Sequence, residues 1–245
     1  MSRFDPFHQL LARYYALEFH QNPVLAGRLE GIQRWQKLRM QYTHAELFAI
    51  PAHQPLTQYF MSRLYVGPEF DALAGQCEHF LKTTAKFERL IPEHTLSTAQ
   101  QAVTLTLLLI ELDQQLAALM DFDFAIDMQD FRDYEPELVK LYRESDQAEA
   151  RCALLTSLDE LGLRLDRYVH SGVIKTLFKL SKGLTLHVGL GMGYSFLDHG
   201  FMAMAPLKSA ETFIRQFSHG ERALLERIYS GTPQPFSQFP PYNVT

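Results

Sequence analysis

Apolar positions recur along this chain with the spacing of helices. In the stretch around Gln58 to Tyr65, Leu56, Tyr59, Phe60 and Leu64 stand at i, i+3, i+4 and i+8, so one face of a short helix carries two aromatic rings. Gly67-Pro68 closes it, because proline lacks the backbone donor and disfavours helical geometry just before it. Upstream, Asp5-Pro6 and Asn22-Pro23 read as cap-plus-proline helix starts. The first launches Phe7, Leu10, Leu11 and Tyr14; the second places Leu25, Leu29, Ile32 and Tyr42 inward. Thr43 and Glu46 have the spacing of a capping box. Phe70, Leu73, Cys77, Phe80, Leu81, Thr84, Phe87 and Ile91 form the next stripe, stopped by Pro92.

Leu96 to Met120 reads as a long helix whose middle is apolar almost all round, the mark of a helix enclosed by neighbours. Leu138, Leu141 and Tyr142 belong to a short helix, and Cys152, Leu155, Leu158, Gly162, Leu165 and Val169 to a longer one. Gly162 is placed where another helix can approach closely. Val173, Ile174, Leu177 and Phe178 face in, while Lys175, Lys179 and Lys182 make a basic stripe. Leu190, Tyr194, Leu197, Phe201 and Met204 follow helical spacing, Ser218 to Glu221 reads as a second capping box and a break, and Leu224, Leu225 and Ile228 end at Gly231. The expected architecture is all-α: one globular bundle of about eight to ten helices around a buried central helix. Residues 1–232 form that domain, and 233–245 are an extended tail rich in proline and phenylalanine that either lies over the core or is free to bind.

Composition narrows the function. A chain of 245 residues that is 47% hydrophobic can bury a sizeable core. A net charge of −5 and a pI near 6.1 argue against a dedicated nucleic-acid binder. The most apolar run, Val103 to Leu112, is half the ~20 residues of a membrane span. No signal peptide is visible, and a soluble cytoplasmic protein is expected. Cys77 and Cys152 sit far apart within helical patterns and read as buried, unpaired thiols.

Catalytic and cofactor spacings fail one after another. The Asp121 to Asp133 segment is not a calcium loop, since Ala125, Ile126 and Arg132 occupy positions five, six and twelve. Gly189-Leu190-Gly191-Met192-Gly193 lacks the G-x-G-x-x-G spacing and any surrounding βαβ pattern. Glu-x-x-His, HExxH and G-x-S-x-G are absent, so neither metal nor cofactor is implied. What remains are polar residues beside apolar faces: Tyr59, Arg63, His79, Glu111, Asp113 and His199, the candidate lining of a pocket. Arg63 meeting Glu111 or Asp113 is read as a structural ion pair or as a polar anchor in such a pocket. The basic stretch Arg28, Arg34, Lys37 and Arg39, which encloses Trp35, is read as a solvated face or as a docking face for an anionic partner.

Tyr59-Phe60-Met61-Ser62-Arg63-Leu64-Tyr65 resembles the motif of the bacterial FFLEELY family of uncharacterised proteins, with Ser62 and Arg63 in place of its paired acids. The resemblance continues through Leu158 to Asp166, Gly189 to Gly191, Phe196 to Phe201 and Glu221 to Gly231, about residues 55 to 231. It implies an all-helical fold and no established activity. The favoured expectation is a non-catalytic module that binds a protein partner or a second copy of itself. The competing expectation is a helical pocket for an apolar small molecule or haem-like cofactor, with or without enzymatic activity.

Overall fold

Where the spacing is clearest, the chain is helical. The computed structural model describes residues 2–64, 70–84, 91, 93–187 and 191–239. Among them are eleven α-helices and no strand: α1 (Asp5–Tyr15), α2 (Pro23–Thr43), α3 (Ala45–Ala49), α4 (Gln54–Tyr59), α5 (Phe70–Thr84), α6 (Glu93–Leu119), α7 (Glu135–Glu144), α8 (Ala148–His170), α9 (Gly172–His187), α10 (Gly191–Met204) and α11 (Glu211–Tyr229). A π-helical turn, Phe60–Leu64, extends α4. The ends of the motif stretch at 65–68 and of the helix expected to run to Ile91 lie outside the described residues, as do 188–190 and 240–245.

Caps bear out some local expectations and correct others. Asn22 caps α2, its side chain accepting from the Leu25 amide at 3.2 Å. Asp5 is already helical rather than the cap, and accepts from the Ser2 amide at 2.9 Å. Thr43 does not open a capping box. Its hydroxyl donates to the Arg39 carbonyl at 3.0 Å, and His44 takes the cap position of α3. The break expected at Ser218 is absent, because α11 runs straight through it with Phe213, Ile214, Phe217, Leu224, Leu225 and Ile228 buried on one face.

The core forms around α2, α6, α7, α8 and α11. Trp35, Ile32, Leu116, Leu138, Tyr142, Leu224 and Ile228 are enclosed there, and Phe236 from the C-terminal segment joins them. A second cluster gathers Met40, Leu47, Leu56, Val169, Met204, Phe213 and Phe217, and Leu158 of α8 packs against both. A smaller one ties Phe4, at the N-cap of α1, and Phe7 and Leu11 of α1 to Leu81 and Leu96. α8 and α11 pack closely at Gly162, where an added Cβ would sit 2.9 Å from Ile214 Cδ1. Among the described residues, α6 alone is long and apolar enough to cross a membrane by length and composition. Here it packs against α1, α2, α7 and α8, with Leu107, Ile110, Leu112, Leu116 and Ala117 buried, but only about a third of its apolar window is buried, so it is less enclosed than the expected central helix.

The described part of the tail is docked. Glu135 accepts from the Phe236 amide at 2.8 Å and the Ser237 amide at 3.1 Å, and Arg227 donates to the Pro235 and Gln238 carbonyls. The core therefore extends past residue 232, and the segment to 239 turns back on itself, Gln238 N–H reaching the Gln234 carbonyl.

Candidate functional site

Charged side chains in a low-dielectric interior must be paired, and one such pairing among the described residues lies between α2 and α11. Arg39, buried on α2, forms a two-pronged contact with Glu221 of α11: Nη2 to Oε2 is 2.6 Å, and Nη1 meets Oε1. His44 Nε2 reaches the same Oε1 at 2.6 Å. Gln36 accepts from Arg39 Nε at 2.8 Å and donates to the Tyr142 hydroxyl. Aromatic rings close the group: Arg39 lies 5.6 Å over Phe236, and the His44 ring 4.6 Å from Phe217. Burial pushes the Glu221 carboxyl up, but the charges and hydrogen bonds of Arg39 and His44 outweigh it and bring it down to about 2. An anion saturated by two partners is a fixed counter-ion, and its chemistry here is to join α2 and α3 to α11.

One turn away, Ser218 donates to Asp159 of α8 at 2.5 Å and Arg222 donates to the same carboxylate at 3.0 Å. With Arg215, Gln216 and His219 they line an open cleft of about 430 Å³. Arg215 is held by Glu211 at 2.7 Å, so both arginines already carry a carboxylate of the chain itself. The cleft has the volume of a small-molecule site but not the enclosure.

The six pocket candidates are dispersed. Tyr59 is buried against α10, its hydroxyl donating to the Phe196 carbonyl at 2.9 Å, with Gly200 beneath its ring. His199, on the same α10, is exposed, and so is His79 on α5, so neither lines a pocket. Glu111 accepts from Arg13 at 2.8 and 2.9 Å, whereas Asp113, fully buried on the same helix, pairs with Arg151 at 3.3 Å. Arg63 is half-buried in the π-helical turn. No group of three or more His, Cys, Asp or Glu side chains able to hold a metal occurs among the described residues.

The basic stretch of α2 is not a free docking face. Trp35 has 0% exposure and donates its indole N–H to the Phe131 carbonyl at 2.7 Å. Arg28 pairs with Asp123 at 3.0 Å, and Arg34 donates to the Ala125 and Ile126 carbonyls, each at 2.6 Å. Lys37 is partly buried, which lowers its pKa. Arg28 and Arg34 anchor the acidic 121–133 loop to the helix it crosses. Tyr42 and Cys152, both expected inward, are exposed, and Cys77 is half-buried.

Residues 16–235 match the family described as a domain of unknown function, DUF8198. The chain belongs to that family. Comparison with curated proteins and with solved structures finds no match. The DUF8198 span runs from the end of α1 into the docked C-terminal segment, so the Arg39–His44–Glu221 group, the Asp159 cleft and the α9–α10 pair all lie within it.

Sequence reasoning missed the Glu221 group because Ser218 and Glu221 had capping-box spacing. The available signal was the uninterrupted stripe Phe213, Phe217, Leu224 and Ile228, which leaves no helix start for such a box to cap.

On the outside, large apolar side chains stand in solvent on two adjoining helices: Val173, expected inward, and Leu180 on α9, and Met192, Leu197 and Met202 on α10. Phe178 of α9 stacks 4.5 Å from Tyr194 of α10, so the two helices present one continuous piece of structure.

Proposed function

We propose that this DUF8198 protein is a non-catalytic binding module that self-associates through exposed apolar side chains of α10. The observation that carries the reading is the exposure of Met192, Leu197 and Met202, the last at 64%, on a helix that packs elsewhere against Tyr59 and Phe178. Asp198 is the sole Asp, Glu, Lys or Arg between Gly191 and Met204, so a two-fold contact between two copies meets little like-charge repulsion. Methionine adapts its shape to an apolar partner surface. Kinship with the FFLEELY-motif proteins and a cytoplasmic location belong to the same proposal, supported by the motif stretch and the sequence alone.

Sedimentation velocity and native mass spectrometry test it together. The expected result is a concentration-dependent dimer that Leu197→Ser with Met202→Ser returns to monomer while the circular dichroism spectrum stays unchanged. A monomer that captures a protein through the same side chains replaces self-association by a protein partner. An extra small-molecule mass, lost on denaturation, overturns the reading in favour of the pocket.

A further inference from the structure

Between Asp166 and Asp198 the chain runs thirty-one residues without an Asp or Glu, although the whole protein carries a net charge of −5. Arg167, Lys175, Lys179 and Lys182 lie within that interval, and α9 occupies its middle. At about 100° per residue, the exposed positions among the described side chains of α9 fall on a single half of the helix. Val173, Leu180 and Thr176 make one flank of that half; Gly183, Lys179 and Lys182 make the other. Val173 is 70% exposed and Leu180 75%, the two spaced seven residues apart and therefore nearly in line. On the opposite half, Phe178 stacks on Tyr194 at 4.5 Å and meets Phe201 at 4.8 Å.

We propose that the outer face of α9 docks on a lipid bilayer that carries anionic headgroups. Val173 and Leu180 enter the interface between headgroups and acyl chains, and Lys179 and Lys182 meet the headgroup anions. The arrangement matches what a bilayer surface rewards: apolar area on one flank, cations beside it, and no acid to repel the membrane. A second copy of this chain fits the face poorly, since a two-fold contact sets the lysine flank against itself. A protein partner fits less well too, because the arc offers no aromatic or arginine anchor around which a stable interface forms. A bilayer accepts separated side chains without a matching pocket. This inference concerns α9 and stands apart from the self-association proposed for α10.

Flotation of the full chain with vesicles of phosphatidylcholine, with and without phosphatidylserine, tests it. The protein is expected to float with the phosphatidylserine vesicles and stay behind with the neutral ones. Raising the salt from about 0.1 to about 0.5 M is expected to release it. Lys179→Glu should lower the affinity at least about fivefold. Leu180→Ser should weaken binding at every salt concentration. Lys182 lies 5.9 Å over the Tyr194 ring, so Lys179 is the variant that leaves the fold's contacts alone. An unchanged thermal melt confirms this for each variant. Equal binding to neutral vesicles, no binding to anionic ones, wild-type binding by Lys179→Glu, or release by inorganic phosphate at constant ionic strength overturns the proposal. Loss of vesicle binding alone, with the dimer intact, removes the α9 inference and leaves the α10 reading standing.

Discussion

Glu221 is ionised in a place that disfavours charge, and that makes it the residue on which stability and pH meet. Its carboxyl lies at about 2 in the folded protein against an ordinary 4.5, so the folded state holds the anion more strongly than the unfolded chain does. The resulting stabilisation is complete above about pH 4.5 and is lost as the pH falls from there toward about 2. Urea unfolding across that interval should show a falling midpoint in the wild type and a flatter profile in Glu221→Gln. At neutral pH that substitution leaves the buried Arg39 with a weaker partner and should cost about 3–5 kcal/mol. An equal midpoint for both proteins at neutral pH would show that the group contributes nothing. The two thiols make a second contrast at this scale. Cys152 is exposed, whereas Cys77 is half-buried and its thiol is pushed up by burial. One thiol should react quickly with a disulfide reagent in the native protein, and Cys152→Ser should abolish that fast phase.

At the scale of elements, the helices and the segment that straps them are held by different means. α11 keeps one face apolar through Phe213, Phe217, Leu224 and Ile228, and this burial carries it past Ser218. The strap has no such stripe. It is held by Glu135, Arg227, and above all by Phe236, whose ring stands 5.1 Å from Trp35. Phe236→Ala should cost about 3–5 kcal/mol and shift the emission of Trp35 to longer wavelength as water reaches it. A red shift without loss of stability would mean that the segment covers the core without helping to hold it. The 121–133 loop is pinned likewise, with Phe124 over Gly31 of α2: an added Cβ there would sit 2.2 Å from the ring. That approach has no signature in the loop's own sequence.

For the molecule as a whole, α6 and α8 connect the clusters, with Leu158 touching two of them. One cooperative unit is the expectation. Trp35, the single tryptophan, lies at the centre, so its fluorescence and the far-ultraviolet circular dichroism should report one urea midpoint. Separate midpoints would divide the chain into two folding units. Most of the helices were legible because their information is local: apolar spacing and Asn22 before Pro23 act within a turn or two. The site was much less legible. Arg39 and Glu221 lie 182 positions apart and His44 and Glu221 lie 177 apart, so no spacing along the chain announces that they meet. Glu111 and Asp113, two residues apart, went to different partners because a helix points them about 160° away from each other. The sequence by itself determined the all-helical class, most of the helices and the acid-free interval around α9. Only the tertiary structure decided which charges are buried together and which apolar side chains remain in solvent, because both depend on how helices pack across long separations in sequence.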